Sequence, residues 1–457
     1  MNFNTSKKIN NNFINHNNRI LNKINPCSIT YKYQKRKKIY IKKMLSPKNF
    51  FSFSTWSNIK QMGPEPVFGL LQEYINDPNP SKVNLSVGAY RDKNGNPYIL
   101  KCVKEATQQY YNLNVNHEYL PISGLPEFVK QALRIGYSDD SIPLKNKNIC
   151  GTQSVSGTGA LRIGMKFLDK FYEGNKVVYI SNPTWANHLN LSQHAGLTVK
   201  YYKYYDYKNK KLDFDGMMND MEKAPDKSIF LLHACAHNPT GTDLNENQWK
   251  ELYQVMKKKQ HLPFFDMAYQ GFASSDPDKD AYSVRMFANN GMDMCLAQSF
   301  AKNFGLYGER IGCLSFVTQN ENEANAIKSQ IQIICRNEYS NPPKFGAYLV
   351  GLILSNGTLR KDWKEELKNM CNRIIKMRER FVEEMKKTGN EIDWEFIKGQ
   401  KGMFGYTGLN KDMVKELKQK YHIYLMGSGR INCAGFNEGN LEYVAKAFND
   451  VTKGAKL

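Results

Sequence analysis

Between about residues 150 and 320, short apolar runs alternate with helix-length amphipathic segments, and no other feature restricts the possible folds of this chain as much. The runs are residues 177–180, 229–232, 263–265, 294–297 and 313–317. They are unbroken rather than alternating, so each strand is covered on both faces. That is the signature of a mostly parallel sheet between layers of helices. In open sheets of this kind ligands sit beyond the carboxyl ends of the strands. The first four runs give way there to polar residues: Ser181-Asn182-Pro183-Thr184-Trp185, His233, Asp266 and Ser299. One site collected from several strand ends is the economical reading.

The flanks have other periods. Trp363, Leu367, Met370, Ile374, Met377 and Phe381 recur at spacings of four and three, which predicts a long amphipathic helix over residues 361–387, stopped at Gly389. Residues 83–87 read as a strand and 102–112 as a helix, and Tyr119-Leu120-Pro121-Ile122-Ser123-Gly124 reads as a loop with an exposed tyrosine. At 457 residues the chain exceeds one ordinary domain. The expected class is α/β, with a large domain built on a mostly parallel central sheet covered by helices and a smaller α/β domain. A basic Asn/Lys-rich tail takes residues 1–54, and an arm with part of the small domain takes 55–97. The large domain takes 98–356, and the long connecting helix with the rest of the small domain takes 357–457.

The formal net charge is +21, but ten Lys and two Arg with no acid lie in residues 1–50. Most of the excess is therefore a tail, which argues against nucleic acid as a partner. The tail is Asn-rich, lacks periodicity and has no long apolar segment, so it fits an organelle-targeting presequence rather than a secretory signal. It has only Arg19 and Arg36 and few serines, so a plain basic extension or a start at Met44 stays open. No run reaches the roughly eighteen apolar residues of a membrane span. Nine cysteines without a C-x-x-C pair read as reduced thiols, and no metal site is expected.

Lys302 follows the fourth run, in Ser299-Phe300-Ala301-Lys302-Asn303-Phe304-Gly305-Leu306-Tyr307-Gly308-Glu309-Arg310. Small and aromatic neighbours are unusual company for a side chain that ordinarily reaches water. Desolvation and nearby cations would lower its pKa and leave a free amine able to form a Schiff base with a carbonyl. If that carbonyl is pyridoxal phosphate, further groups are required. The phosphate needs donors at a helix start and an arginine, which Ser156, Gly157, Thr158, Ser299 and Arg310 can supply. The pyridine nitrogen needs a buried carboxylate, and Asp266 ends its strand. Tyr269 and Asn238 can hydrogen-bond the ring hydroxyl oxygen, His233 can orient Asp266 from behind, and Trp185 can stack on the ring. Plainer readings stand beside these: a helix entry for the glycines, a helix N-cap for Asp266, and core packing for His233 and Trp185.

Together these residues resemble the aspartate aminotransferases, pyridoxal-phosphate enzymes of the fold-type I class. The matching segments occur in the family's order from about Trp56 onward. They are Val87-Gly88-Ala89-Tyr90-Arg91, Ser156-Gly157-Thr158-Gly159-Ala160-Leu161-Arg162, Pro183-Thr184-Trp185-Ala186-Asn187-His188, His233-Ala234-Cys235-Ala236-His237-Asn238-Pro239-Thr240-Gly241, Phe265-Asp266-Met267-Ala268-Tyr269-Gln270-Gly271-Phe272 and the Lys302 stretch. Met62-Gly63-Pro64 and Leu306-Tyr307-Gly308-Glu309-Arg310 look closer to the mitochondrial type.

The resemblance implies pyridoxal phosphate held covalently by Lys302, with Asp266 and Tyr269 as its catalytic partners. It implies reversible ping-pong transfer of the amino group from L-aspartate to 2-oxoglutarate, giving oxaloacetate and L-glutamate. It also implies a homodimer with active sites at the subunit interface, in the mitochondrial matrix, with the cytoplasm as the alternative. By motif, Tyr119 would reach the partner subunit's cofactor phosphate and Arg336 would bind the distal substrate carboxylate across the interface. Arg430 would hold the α-carboxylate, with Gly88, Trp185, Asn238 and Phe404 nearby. Two arginines at the ends of a small dicarboxylate also make independent sense, because paired guanidinium contacts select for charge and spacing. A broad-specificity aromatic or kynurenine aminotransferase would keep the same arginines and is the alternative. Ser86 and Ser275 stand where the family commonly has glycine.

Ser299-x-x-Lys302, Tyr339-Ser340-Asn341 and Lys387-Thr388-Gly389 also mimic the elements of serine β-lactamases. That fold needs the last element on a strand, whereas here it closes the long predicted helix.

Overall fold

The computed structural model describes residues 54–455, so the tail's presequence reading lies outside the described residues. The chain from Pro64 begins with helix α1 (Pro66–Asn76) and the short strand β1 (Val83–Asn84), followed by α2 (Lys101–Asn112) and α3 (Pro126–Tyr137). The alternating region then supplies β2 (Ile149–Val155), α4 (Ser156–Phe171), β3 (Asn175–Asn182), α5 (Asn187–Ala195) and β4 (Thr198–Lys203). After a small hairpin of β5 (Tyr205–Asp206) and β6 (Lys211–Leu212) come β7 (Ser228–His233), β8 (Leu262–Met267), β9 (Met294–Ser299) and β10 (Ile311–Val317).

Seven of these strands form one sheet in the order β2-β10-β9-β8-β7-β3-β4. Only β10 runs against its neighbours β2 and β9; the other pairings are parallel. Residues 300–310 explain the exception. A parallel crossover takes a dozen or more residues and usually a helix, and this link is too short for one. The chain therefore turns back antiparallel, and the turn that reverses it is the one carrying Lys302. Phe264, Ala297 and Leu314 face one layer with Leu161 and Met165 of α4, while Phe265, Leu296 and Leu232 face the other with Trp249 and Phe287. Both faces are dry, as the unbroken apolar runs require.

Two further helices matter for the site, α6 (Glu321–Glu338) and α7 (Gly357–Lys387), and α8 (Leu441–Thr452) packs on α7. The long helix starts four residues before the sequence pattern does, because the Asn356 side chain caps the Thr358 and Leu359 N–H groups. It ends at Lys387, with Gly389 at φ +71°, so Lys387-Thr388-Gly389 is a helix exit, as expected. Its apolar face, Trp363 to Phe381, joins the core that also holds Phe300, Phe304 and Phe404.

Two small sheets complete the fold. β11 (Phe404–Tyr406) and β13 (Arg430–Asn432) pair antiparallel, and β12 (Ile423–Tyr424) pairs parallel with β1. The strand expected over residues 83–87 stops at Asn84. The Asn84 Oδ1 captures both the Ser86 N–H, at 3.0 Å, and its hydroxyl, at 2.8 Å, which turns the chain out of the ladder. The carbonyls freed by that turn are used elsewhere, since Ser86 O accepts from Arg430 and Val87 O from Asn432. Cys102, Cys150, Cys235, Cys295, Cys313, Cys335, Cys371 and Cys433 are all free and buried.

Candidate active site

The carboxyl ends of β2, β3, β7, β8 and β9 open onto one edge of the sheet, and β10 begins there. Register brings Asp266 level with His233 on one side and Ala297 on the other, and Gly312 level with both Ser299 and Ser154. Lys302 lies in the turn after Ser299, with Nζ 5.0 Å from the Tyr269 ring centroid. Loss of hydration pushes its amine below the usual lysine range, Arg310 adds to the shift, and Asp266 opposes it.

Asp266 is 7% exposed. Its Oδ2 accepts a hydrogen bond from His188 Nε2 at 2.9 Å, and its Oδ1 is buried with no partner. Burial drives the carboxyl up, yet the His188 hydrogen bond and the electrostatics of the site, Lys302 included, outweigh it, and the net shift is downward. An ionised carboxylate with one free buried oxygen calls for an N–H that none of the described residues provides. The protonated ring nitrogen of pyridoxal phosphate has that chemistry.

The sequence reading expected His233 to orient Asp266; His188 makes that contact. His233 stands one step behind. The Asn238 backbone N–H donates to His233 Nδ1 at 3.4 Å, so the proton of this neutral ring is on Nε2, which faces Thr184 Oγ1 at 3.3 Å. The Thr184 hydroxyl then donates to His188 Nδ1 at 2.8 Å, which leaves the His188 proton on Nε2, facing Asp266. Burial lowers His233 to about 3, so it stays neutral in this relay. Thr184 and His188 were legible only as part of a motif. Selecting one histidine over the other requires knowing how α5 packs beside β8.

The phosphate-side residues also converge. Ser156, at φ +60°, opens α4, and its hydroxyl lies 3.2 Å from that of Ser299. The Ser156 N–H donates to the Arg310 carbonyl at 3.0 Å, which ties the helix entry to the end of the lysine turn. A Cβ at Gly157 would stand 3.1 Å from Ser299 Cβ, so glycine keeps the cradle open. Thr158 is partly exposed in the first turn of the same helix. The Arg310 guanidinium is exposed and donates within its own turn, to Tyr307 O.

On the far side Arg430 is buried, donating to Ser86 O at 2.8 Å and to Asn238 Oδ1 at 3.2 Å, with its Nε unpartnered. It stacks 4.1 Å over the Phe404 ring, and Phe404 packs edge-on against Tyr269. Gly88 faces the same ring, where a Cβ would come within 2.8 Å of Phe404 Cζ and 3.6 Å of Tyr269 Oη. Trp185 packs edge-on against His188 at 5.3 Å. Tyr119, 85% exposed, and Arg336, also exposed, are on the surface, where Arg336 donates only to Ser340. Among the described residues no carboxylate pairs with Lys302, Arg310, Arg336 or Arg430, an arrangement suited to an anionic ligand at each.

The model of the family described as aminotransferase class I and II matches residues 80–448. The chain belongs to that family. This aminotransferase is 49% identical over 411 residues to the mitochondrial aspartate aminotransferase of Dictyostelium discoideum, covering 89% of this chain and 96% of that one. An aromatic-amino-acid aminotransferase from Burkholderia pseudomallei, solved covalently bound to pyridoxal phosphate, superposes with a TM-score of 0.85 at 39% identity, covering 88% of this chain and all of that one. The cytoplasmic aspartate aminotransferase of Saccharomyces cerevisiae superposes with a TM-score of 0.85 at 42% identity, covering 87% of this chain and 98% of that one. The sheet order and layers are those of a fold-type I aminotransferase.

Proposed function

We propose that this aminotransferase moves the amino group of L-aspartate to 2-oxoglutarate, giving oxaloacetate and L-glutamate, with pyridoxal phosphate held covalently on Lys302. The observation that carries the reading is Asp266, whose side chain has a buried, unpartnered Oδ1 and is close enough to the depressed amine of Lys302 for the two charges to interact. When bound, the cofactor supplies the electron sink that allows an amino acid to lose its α-proton. Asp266 holds the ring nitrogen's proton, and the Thr184–His188 relay keeps Asp266 ionised. Tyr269, whose hydroxyl burial pushes well above its usual range, stays protonated and donates to the cofactor's ring oxygen together with Asn238. Ser156, Gly157, Thr158, Ser299 and Arg310 bind the phosphate. The Lys302 amine, its pKa lowered by loss of hydration, would take the proton from the substrate α-carbon as general base and return it as general acid. Arg430 binds the α-carboxylate, backed by Gly88, Asn238 and Phe404, while Trp185 covers the ring face.

We infer a homodimer in which Arg336 and Tyr119 serve the partner subunit's site. Both are exposed, and among the described residues neither meets a charged partner. The 49% identity to a mitochondrial aspartate aminotransferase supports the substrate and the compartment.

The deciding experiment is an absorption spectrum of protein reconstituted with pyridoxal phosphate, before and after aspartate, for the wild type and Lys302→Ala. Aspartate should abolish the near-visible band, 2-oxoglutarate should restore it, and the variant should show neither response. A protein that acquires no such band overturns the cofactor assignment. Conversion by an aromatic amino acid but not by aspartate moves the substrate to the aromatic or kynurenine alternative.

A further inference from the structure

Two surface segments carry groups with little to bind among the described residues: Tyr119 is exposed, and Arg336 donates only to Ser340. One is the loop after Tyr119, and the other is the segment that follows Arg336 at the end of α6. Both are fastened to one buried side chain, Gln153 on β2, three residues before the phosphate cradle begins at Ser156.

Gln153 uses every polar group it has on these loops. Its Oε1 accepts from Leu125 N at 2.9 Å, and its backbone N–H donates to Ser123 O at 2.9 Å. Its Nε2 donates to Pro343 O at 2.7 Å, and its carbonyl accepts from the Tyr339 hydroxyl at 3.3 Å. Gly124, at φ +90°, lies so close that a Cβ there would meet Gln153 Cβ at 2.1 Å. The loops are also joined directly by Asn341 Nδ2 to Leu120 O at 2.9 Å, and α6 itself reaches the first loop through Gln332 Nε2 to Ser123 Oγ at 2.6 Å. A side chain that spent its hydrogen bonds on the sheet would mark a core position. This one spends them on the segments that carry Tyr119 and Arg336.

We propose that Gln153 is a positioning residue for the partner subunit's active site: it sets the two loops that present Tyr119 and Arg336 across the dimer interface. The proposal rests on the homodimer and dicarboxylate reading given above. It predicts that damage at Gln153 weakens dicarboxylate binding in the other subunit's site, not in its own.

Hybrid dimers with one working site separate the two cases. In the first, one chain carries both Gln153→Glu and Lys302→Ala and its partner is wild type, so the working site receives altered loops. In the second, Gln153→Glu and Lys302→Ala are on different chains, so the working site receives intact loops. Both contain one altered glutamine, so any general loss of stability is shared. The first hybrid should show KM values for aspartate and 2-oxoglutarate raised about tenfold with kcat changed less, a displacement of an ångström or less at Arg336 being sufficient. The second should match a dimer of wild-type and Lys302→Ala chains.

Gln153→Met, which removes both amide bonds without burying a charge, should reproduce the pattern. Homodimeric Gln153→Glu should also bind succinate about tenfold more weakly in a titration without turnover. A defect that follows the second hybrid, is equal in both or is absent from both overturns the proposal. Mixing Lys302→Ala with Arg336→Ala chains is the control. If no activity returns, the shared-site reading has failed and the role of Gln153 in trans fails with it.

Discussion

At the scale of single residues the site is organised by protons. Asp266 is useful because one oxygen is satisfied by His188 and the other is left free, and His188 can donate because Thr184 and His233 fix its tautomer. The buried neutral histidine has a measurable consequence. In the folded protein His233 protonates only near pH 3, whereas unfolded histidine does so near its ordinary value of 6.5. Between those values the unfolded chain binds the extra proton, so acidification favours unfolding. Stability should fall as pH drops below about 6.5, by up to about 1.4 kcal/mol per pH unit from this group alone. Urea unfolding followed from pH 7 to pH 4 should show a shallower decline in His233→Asn than in the wild type. An equal slope in both would remove His233 from the account. The lysine, the aspartate and the arginines could be listed from the sequence because strand-end chemistry singles them out. The choice of His188 over His233 could not, since both lie close to Asp266 and only the packing of α5 decides which reaches it.

At the scale of elements, the long helix α7 is structurally part of the lysine turn. Trp363 Nε1 donates to Asn303 O at 2.8 Å, and its ring stacks on Phe304 at 4.8 Å, so the helix holds the two residues that follow Lys302. The same helix presses on the loop after Asp266. Gly271 has φ +94°, and a Cβ there would stand 2.2 Å from Leu367 Cδ2. Leu367 is fully buried and cannot swing away. Gly271→Ala should therefore cost about 3 kcal/mol, from left-handed backbone strain together with overpacking. A change in the urea midpoint equivalent to less than about 1 kcal/mol would show that the helix yields more readily than its packing implies. Ser275, at φ +66°, occupies another left-handed position where glycine is common in the family. It makes one hydrogen bond there, to Asn372 Oδ1 at 2.8 Å on the same helix. The periodicity of α7 was plain in the sequence. Its partners were not, because an apolar stripe shows that a face is buried without showing against what.

At the scale of the whole molecule, the basic tail and the proposed dimer are where the functional reading extends beyond one folded chain. The tail's composition, with twelve cationic residues and no acid in its first fifty, fits import into the mitochondrial matrix. A tagged full-length chain should enter mitochondria while one starting at Phe53 remains in the cytosol; the same location for both would assign the tail another role. The sequence by itself determined the class of fold and the chemistry available. Unbroken apolar runs admit only a sheet covered on both faces, and a lysine, an aspartate and arginines at strand ends define what such a sheet can bind. Tertiary structure decided which groups meet. The short link after β9 turned β10 antiparallel, the Asn84 side chain ended β1 early and released two carbonyls to Arg430 and Asn432, and Gln153 joined two loops far apart in sequence. Each outcome depends on a hydrogen bond or a steric limit between residues that no local pattern connects.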